Sequence, residues 1–142
     1  MRVLQNEMKM KITALSENEG VCRAMVAAFV ASLDPNIEEL ADIKCAVSEA
    51  VTNCIVHAYG GRGGVIYISV GIYENRMIRV EVRDRGCGIP NIAEAMRPTF
   101  TTDRSGERSG MGFSVMESFM SRLRVFSALG RGPRVVMWKR LS

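Results

Sequence analysis

The stretch from Pro35 to Asp84 reads PNIEELADIKCAVSEAVTNCIVHAYGGRGGVIYISVGIYENRMIRVEVRD, and the change of period inside it decides the fold. Up to about Tyr59, Leu40, Ile43, Val47, Ala50, Val51, Cys54, Ile55 and Ala58 recur at helical spacing and form one broad apolar face. The glycines of YGGRGG end that helix. Val65 to Tyr73 and Met77 to Arg83 are then rich in β-branched residues and joined through Glu74-Asn75-Arg76, which predicts a β-hairpin.

Upstream, Met8 to Leu15 alternates lysine with apolar residues, as a half-buried strand does. Ser16 with Glu19 three positions on is a helix-capping pattern. The helix it predicts runs from Asn18 to Leu33, with Val21, Met25, Ala28, Phe29 and Ser32 on one face, and stops at Asp34-Pro35. Downstream, Ile92 to Gly110 holds a short helix and a polar loop, and Met111 to Met120 a third long helix. Leu123 to Leu129 and Val135 to Trp138 are strands about a GRGP turn. The order β, α, α, β, β, loop, α, β, β does not alternate as a doubly wound fold would. It predicts an α+β two-layer sandwich, a mixed, mostly antiparallel sheet with helices on one face, as a single domain over residues 1–142.

Length and composition fit one core: 142 residues, 47% of them hydrophobic. Lys and Arg number 19 against 15 for Asp and Glu, a surplus small enough for ordinary solubility, and no aromatic-basic interleaving in the sequence supports a nucleic-acid partner. Cys22, Cys45, Cys54 and Cys87 stand far apart without a C-x-x-C pair, and one histidine is present, which argues against a zinc site. Cys22, Cys45 and Cys54 lie among apolar residues of predicted helices, where buried, reduced thiols are the ordinary case. The amino terminus has no apolar signal core, and every apolar stretch is broken by charge before the roughly 20 residues a bilayer span needs. A cytoplasmic protein without a membrane segment is expected.

Three segments can carry chemistry. Glu49, Asn53 and His57 stand at i, i+4 and i+8, a polar stripe in an apolar helix. An amide oxygen there can hold Mg²⁺ and leave the carboxylate free to take a proton, although a solvated polar face has the same spacing. Asp84-Arg85-Gly86-Cys87-Gly88-Ile89 follows a strand, so that Asp84 can accept from an exocyclic amine while Gly86 and Gly88 leave room for a flat base. The other reading is a turn in which Asp84 caps its own loop. In Arg108-Ser109-Gly110-Met111-Gly112-Phe113, glycines precede a helix and aim backbone N–H groups at one point, which suits a phosphate, although Gly-x-Gly before a helix is often only a loop. Arg108 and Arg104 add guanidinium groups there, and Thr101 and Thr102 add hydroxyl donors.

Taken in order, E-A-V-T-N, D-R-G-C-G-I and G-M-G-F resemble the N, G1 and G2 boxes of the ATPase family shared by gyrase, Hsp90, histidine kinases and MutL. SEAVTN followed by IVHAY, then IYISV, RDRGCGI and P-x-FTT…ERSGMGFSVMESFM, together with Asn18 to Phe29 and Leu33 to Pro35, narrow the resemblance to the anti-sigma F factors of endospore-forming bacteria, over nearly the whole chain. That resemblance implies the histidine-kinase-like ATPase fold and a homodimer that binds sigma factor F and uses ATP and Mg²⁺ to phosphorylate a serine of an anti-anti-sigma factor. Box by box, it implies Glu49 as general base, Asn53 as Mg²⁺ ligand, Asp84 as reader of adenine with Gly86 and Gly88 beneath it, and Gly110, Met111 and Gly112 as backbone phosphate contacts. Thr101, Thr102 and Arg108 fall in the matching lid, Arg108 toward the γ-phosphate, and Arg23 on the surface used by the partners.

Two departures stand out. Pro133 and Arg134 follow the last turn where the family usually has a threonine near adenine, and Asp103-Arg104 stands where Lys-Pro is common. The rival readings are a general-stress anti-sigma kinase of the same family, a non-catalytic module that sequesters a sigma factor, and an excised histidine-kinase domain. The last would need a separate phosphoacceptor helix, and the one histidine, His57, sits in the N-box helix itself.

Overall fold

The computed structural model describes residues 3–58, 64–84, 122–128 and 132–142. Its elements are β1 (Leu4–Thr13), α1 (Glu19–Val30), α2 (Ile37–Asn53), β2 (Val65–Tyr73), β3 (Met77–Asp84), β4 (Arg122–Ala128) and β5 (Gly132–Arg140). Short 3-10 turns, Ser16–Asn18 and Ala31–Leu33, flank α1, and a π-helical turn, Cys54–Ala58, continues α2. The predicted helices between residues 92 and 120 lie outside the described residues.

The five strands lie in the order β1-β2-β3-β5-β4. Every pairing among the described residues is antiparallel, although the order of elements had left room for a parallel pair. Alternation sorts the two faces. Ile66, Ile68, Val70, Ile78, Val80, Val82, Val135 and Met137 point to the helices and are buried, each contributing about 1.5–3 kcal/mol by leaving water. On the other face Arg79 and Arg134 pair with Glu81 at 3.1 and 3.5 Å, Arg83 lies over Tyr67 and Arg79 over Trp138. Arg134 thus belongs to the face opposite the helices, next to the buried Val135. The hairpin turns tightly because Asn75 and Arg76 both adopt left-handed backbone, with φ of 62° and 58°.

α1 departs from the expected face. Cys22, Val26 and Val30 are fully buried, with Phe29 packed against them, whereas Val21 and Met25 are each 45% exposed and Ala28 and Ser32 face solvent. The helix is apolar nearly all round, so periodicity alone had two acceptable stripes. Small, branched residues won the close approach to α2. Nor does Ser16 cap α1: it opens the 3-10 turn, and Asn18, the residue before the helix, donates its amide to the Thr13 carbonyl instead. Cys45, expected to be buried, is exposed on α2, while Cys22 and Cys54 are buried.

α2 begins with a reciprocal cap. Asn36 Oδ1 accepts from the Glu39 N–H at 2.7 Å, and Glu39 Oε1 accepts from the Asn36 N–H at 3.0 Å. The other oxygen of Glu39 accepts from the Ser142 N–H at 2.7 Å, and Lys139 Nζ lies 3.5 Å from Asp42 Oδ2. These contacts pin the start of α2 to the end of β5 and set the line along which its later residues cross the sheet. Asn36→Ala should lower stability by about 1 kcal/mol, read from denaturant unfolding at unchanged m-value.

The same carboxylate makes the cap sensitive to acid. The Ser142 and Asn36 N–H groups hold the Glu39 carboxyl below its ordinary value of 4.5. A depressed native value means that the contribution is complete above the unfolded value and is lost as pH falls through the lower native one. Stability measured from pH 6 downward should therefore begin to lose the Glu39 share near pH 4.5. Glu39→Gln should lack that portion of the acid dependence.

Candidate functional site

α2 carries Glu49 and Asn53 one turn apart, which puts their β-carbons about 6 Å from each other on one stripe. Both are half-buried and border Ala50 and Val51, which are fully buried. The turn they occupy is tied down on its α1 side. Ser48 donates its hydroxyl to the Glu19 carboxylate, and Glu19 also pairs with Arg23 at 3.6 Å. Thr52 donates to the Ser48 carbonyl at 2.7 Å, an i to i−4 bond that keeps its hydroxyl on its own helix. Arg23 is exposed, and it reaches the Glu49 turn through Glu19 and Ser48.

Beyond Asn53 the helix widens. The π turn Cys54–Ala58 advances each residue by less rotation than an α-helix does. The side chain of His57 lies outside the described residues. Wide turns of this kind are common where a helix serves a binding site.

Asp84 closes β3 opposite Ile66 and is 1% exposed, the one buried charged residue among those described. A buried carboxylate needs hydrogen-bond donors. Cys54, the first residue of the π turn, is buried as well, and its thiol feels the charge of Asp84. Burial first, and the charge of Asp84 second, push the Cys54 thiol well above its ordinary value. Burial likewise raises Cys22 to about 11, with Glu19 adding to the effect. α2 and the π turn that continues it pack against β3 on the helix-covered face, so Asn53 and Asp84 stand on elements that meet. The sequence places Cys54 on an apolar stripe, and it is buried there; the burial of Asp84 was not visible in the sequence.

Gly86, Gly88, Thr101, Thr102, Arg108, Gly110, Met111 and Gly112 lie outside the described residues. Among the described residues, no group of three or more His, Cys, Asp or Glu side chains could hold a metal ion, and no helix is long and apolar enough to cross a membrane. An amide oxygen such as that of Asn53 suits Mg²⁺, which keeps several waters and takes phosphate oxygens rather than an all-protein cage.

The family described as histidine kinase-like ATPase domain matches residues 12–139. The anti-sigma F factor of Clostridium acetobutylicum is 49% identical over 99% of this chain and 97% of its own length. That of Bacillus thuringiensis is 51% identical over 98% and 95%. The chain belongs to the histidine kinase-like ATPase family, among the anti-sigma F factors. Solved structures agree on the fold of this anti-sigma family member. The RsbU and RsbW domains of a Mycobacterium tuberculosis protein superpose with a TM-score of 0.69 at 20% identity, covering 96% of this chain and 32% of that one. A blue-light activated histidine kinase of Erythrobacter litoralis gives 0.60 at 22% identity, over 84% and 40%. The family likeness carries with it a kinase-like ATPase domain that binds ATP.

Proposed function

We propose that this chain is an anti-sigma factor that binds the sporulation sigma factor F, and an ATP-dependent protein serine kinase that phosphorylates and thereby inactivates an anti-anti-sigma factor. The observation that carries the reading is near-full-length identity of about half with anti-sigma F factors, in a chain whose Glu49, Asn53 and Asp84 stand on two elements that meet. Bound MgATP supplies the phosphoryl group. Asp84 accepts a hydrogen bond from the exocyclic amine of adenine, over Gly86 and Gly88. Asn53 offers its amide oxygen to Mg²⁺, and Glu49, one turn back, takes the proton of the incoming serine. Thr101, Thr102, Arg108 and the backbone of Gly110, Met111 and Gly112 hold the phosphates, with Arg108 toward the transferred group. Arg134, on the opposite face of the sheet, takes no part in holding adenine.

Arg23 serves the partner surface, and the chain acts as a cytoplasmic homodimer. Exposed Val21 and Met25 beside it leave apolar area on α1 for a protein contact. The test has two arms. Incubation with radiolabelled ATP and purified anti-anti-sigma protein should label a serine of that protein, and a pull-down with sigma factor F should recover it in the presence of ATP. Recovery without labelling would leave a non-catalytic sequestering module. Labelling without recovery of sigma factor F would point to a different sigma factor.

A further inference from the structure

We infer that Ser48 is a positioning residue for phosphoryl transfer: its hydrogen bond to Glu19 on α1 sets the rotation of the α2 turn that carries Glu49. This role rests on the reading of Glu49 as the general base.

A serine inside a helix ordinarily turns its hydroxyl back to the carbonyl four residues earlier or out to water. Thr52 does the first, at 2.7 Å from the Ser48 carbonyl. Ser48 does neither: its hydroxyl crosses to the Glu19 carboxylate, twenty-nine residues earlier and on the neighbouring helix. Arg23 stands 3.6 Å from the same Glu19 oxygen and helps to orient it. Around Ser48, α2 meets the core through Ala46, Val47, Ala50 and Val51, all fully buried and all small or branched. Apolar contacts have no direction, whereas a hydrogen bond to a carboxylate has one and is stronger than a neutral bond. The bond therefore fixes how far α2 turns about its own axis at the residue just before Glu49. A rotation of about 10° moves a side-chain tip at the outer radius of a helix, about 5–6 Å, by about 1 Å. A misplacement of that size costs a reacting group on the order of 10²-fold in rate. Asn53 lies a turn further from the bond, and Mg²⁺ keeps several waters that adjust to a shifted ligand. The rate of transfer thus carries the effect far more than MgATP affinity does.

The experiment measures single-turnover transfer from MgATP to saturating purified anti-anti-sigma protein, and MgATP affinity separately, in the full chain. The variants are Ser48→Ala, Ser48→Thr, Glu19→Ala and the pair of alanine changes together. Alanine forms helix better than serine, so α2 persists in Ser48→Ala. That variant should transfer roughly 10- to 10²-fold more slowly, with MgATP affinity within about threefold of wild type. Ser48→Thr, which keeps the hydroxyl, should restore most of the rate. The pair should be no slower than the slower single variant, because both changes remove one bond. Wild-type transfer in Ser48→Ala, whether or not stability falls, would overturn the role of Ser48. So would a loss of MgATP affinity as large as the loss of rate, single effects that multiply in the pair, or a Thr variant as slow as the Ala one. Glu49→Gln transferring at the wild-type rate would instead remove the base reading, and the role of Ser48 with it.

Discussion

Glu49→Gln is expected to slow phosphoryl transfer by roughly 10²–10⁴-fold while leaving ATP affinity nearly unchanged. The substitution removes the proton-accepting group and little else. Gln matches Glu in length and in helix propensity, so α2 and the placement of Asn53 four residues on should survive it. The turn is also held from outside by the Ser48 hydroxyl on Glu19, which the change does not touch. Single-turnover transfer to the anti-anti-sigma serine, set beside an equilibrium binding curve for ATP, separates the two effects. Transfer at the wild-type rate would remove Glu49 from the chemistry. A parallel loss of ATP affinity would assign it to binding.

The largest effect on stability is expected at Ile78. It is fully buried in β3, opposite Ile72 on β2 and Lys139 on β5, within the core between sheet and helices. Ile78→Ala should cost about 2–5 kcal/mol, because the removed methylenes lose their transfer energy and the rigid sheet cannot close the space. For a chain of this size that is a fall in Tm of roughly 10 °C. Met25→Ala on α1 is the matched control, since Met25 is 45% exposed. It should change stability by less than about 1 kcal/mol. Equal losses at the two positions would contradict the assignment of faces on α1 and β3. Calorimetric or circular-dichroism melting reads both.

The β2–β3 hairpin was legible to the residue at its turn, Tyr73 and Met77, because alternation and a polar three-residue turn are local signals. β1 and β5 were found with other bounds: β1 runs Leu4–Thr13, earlier at both ends than Met8 to Leu15, and β5 Gly132–Arg140, longer at both ends than Val135 to Trp138. Their ends carry polar residues that pair through backbone, which composition does not reveal. The apolar face of α2 was correct at Ile43, Val47, Ala50, Val51, Cys54 and Ile55 because polar residues flank it on both sides. α1 offered no such contrast.

What the sequence determined by itself was therefore local or cumulative. Among the described residues it set which segments are helices and strands and where the hairpin turns, and, through boxes in a fixed order, the family to which the chain belongs. Tertiary structure alone decided which stripe of α1 faces inward, that Cys45 is exposed, and that the helix widens after Asn53. It also decided that Asp84 is buried. The physical reason is range: a turn or an alternating strand is settled by neighbours in the chain. The choice between two apolar stripes, or the burial of a carboxylate, is settled by what packs against them from elsewhere in the fold.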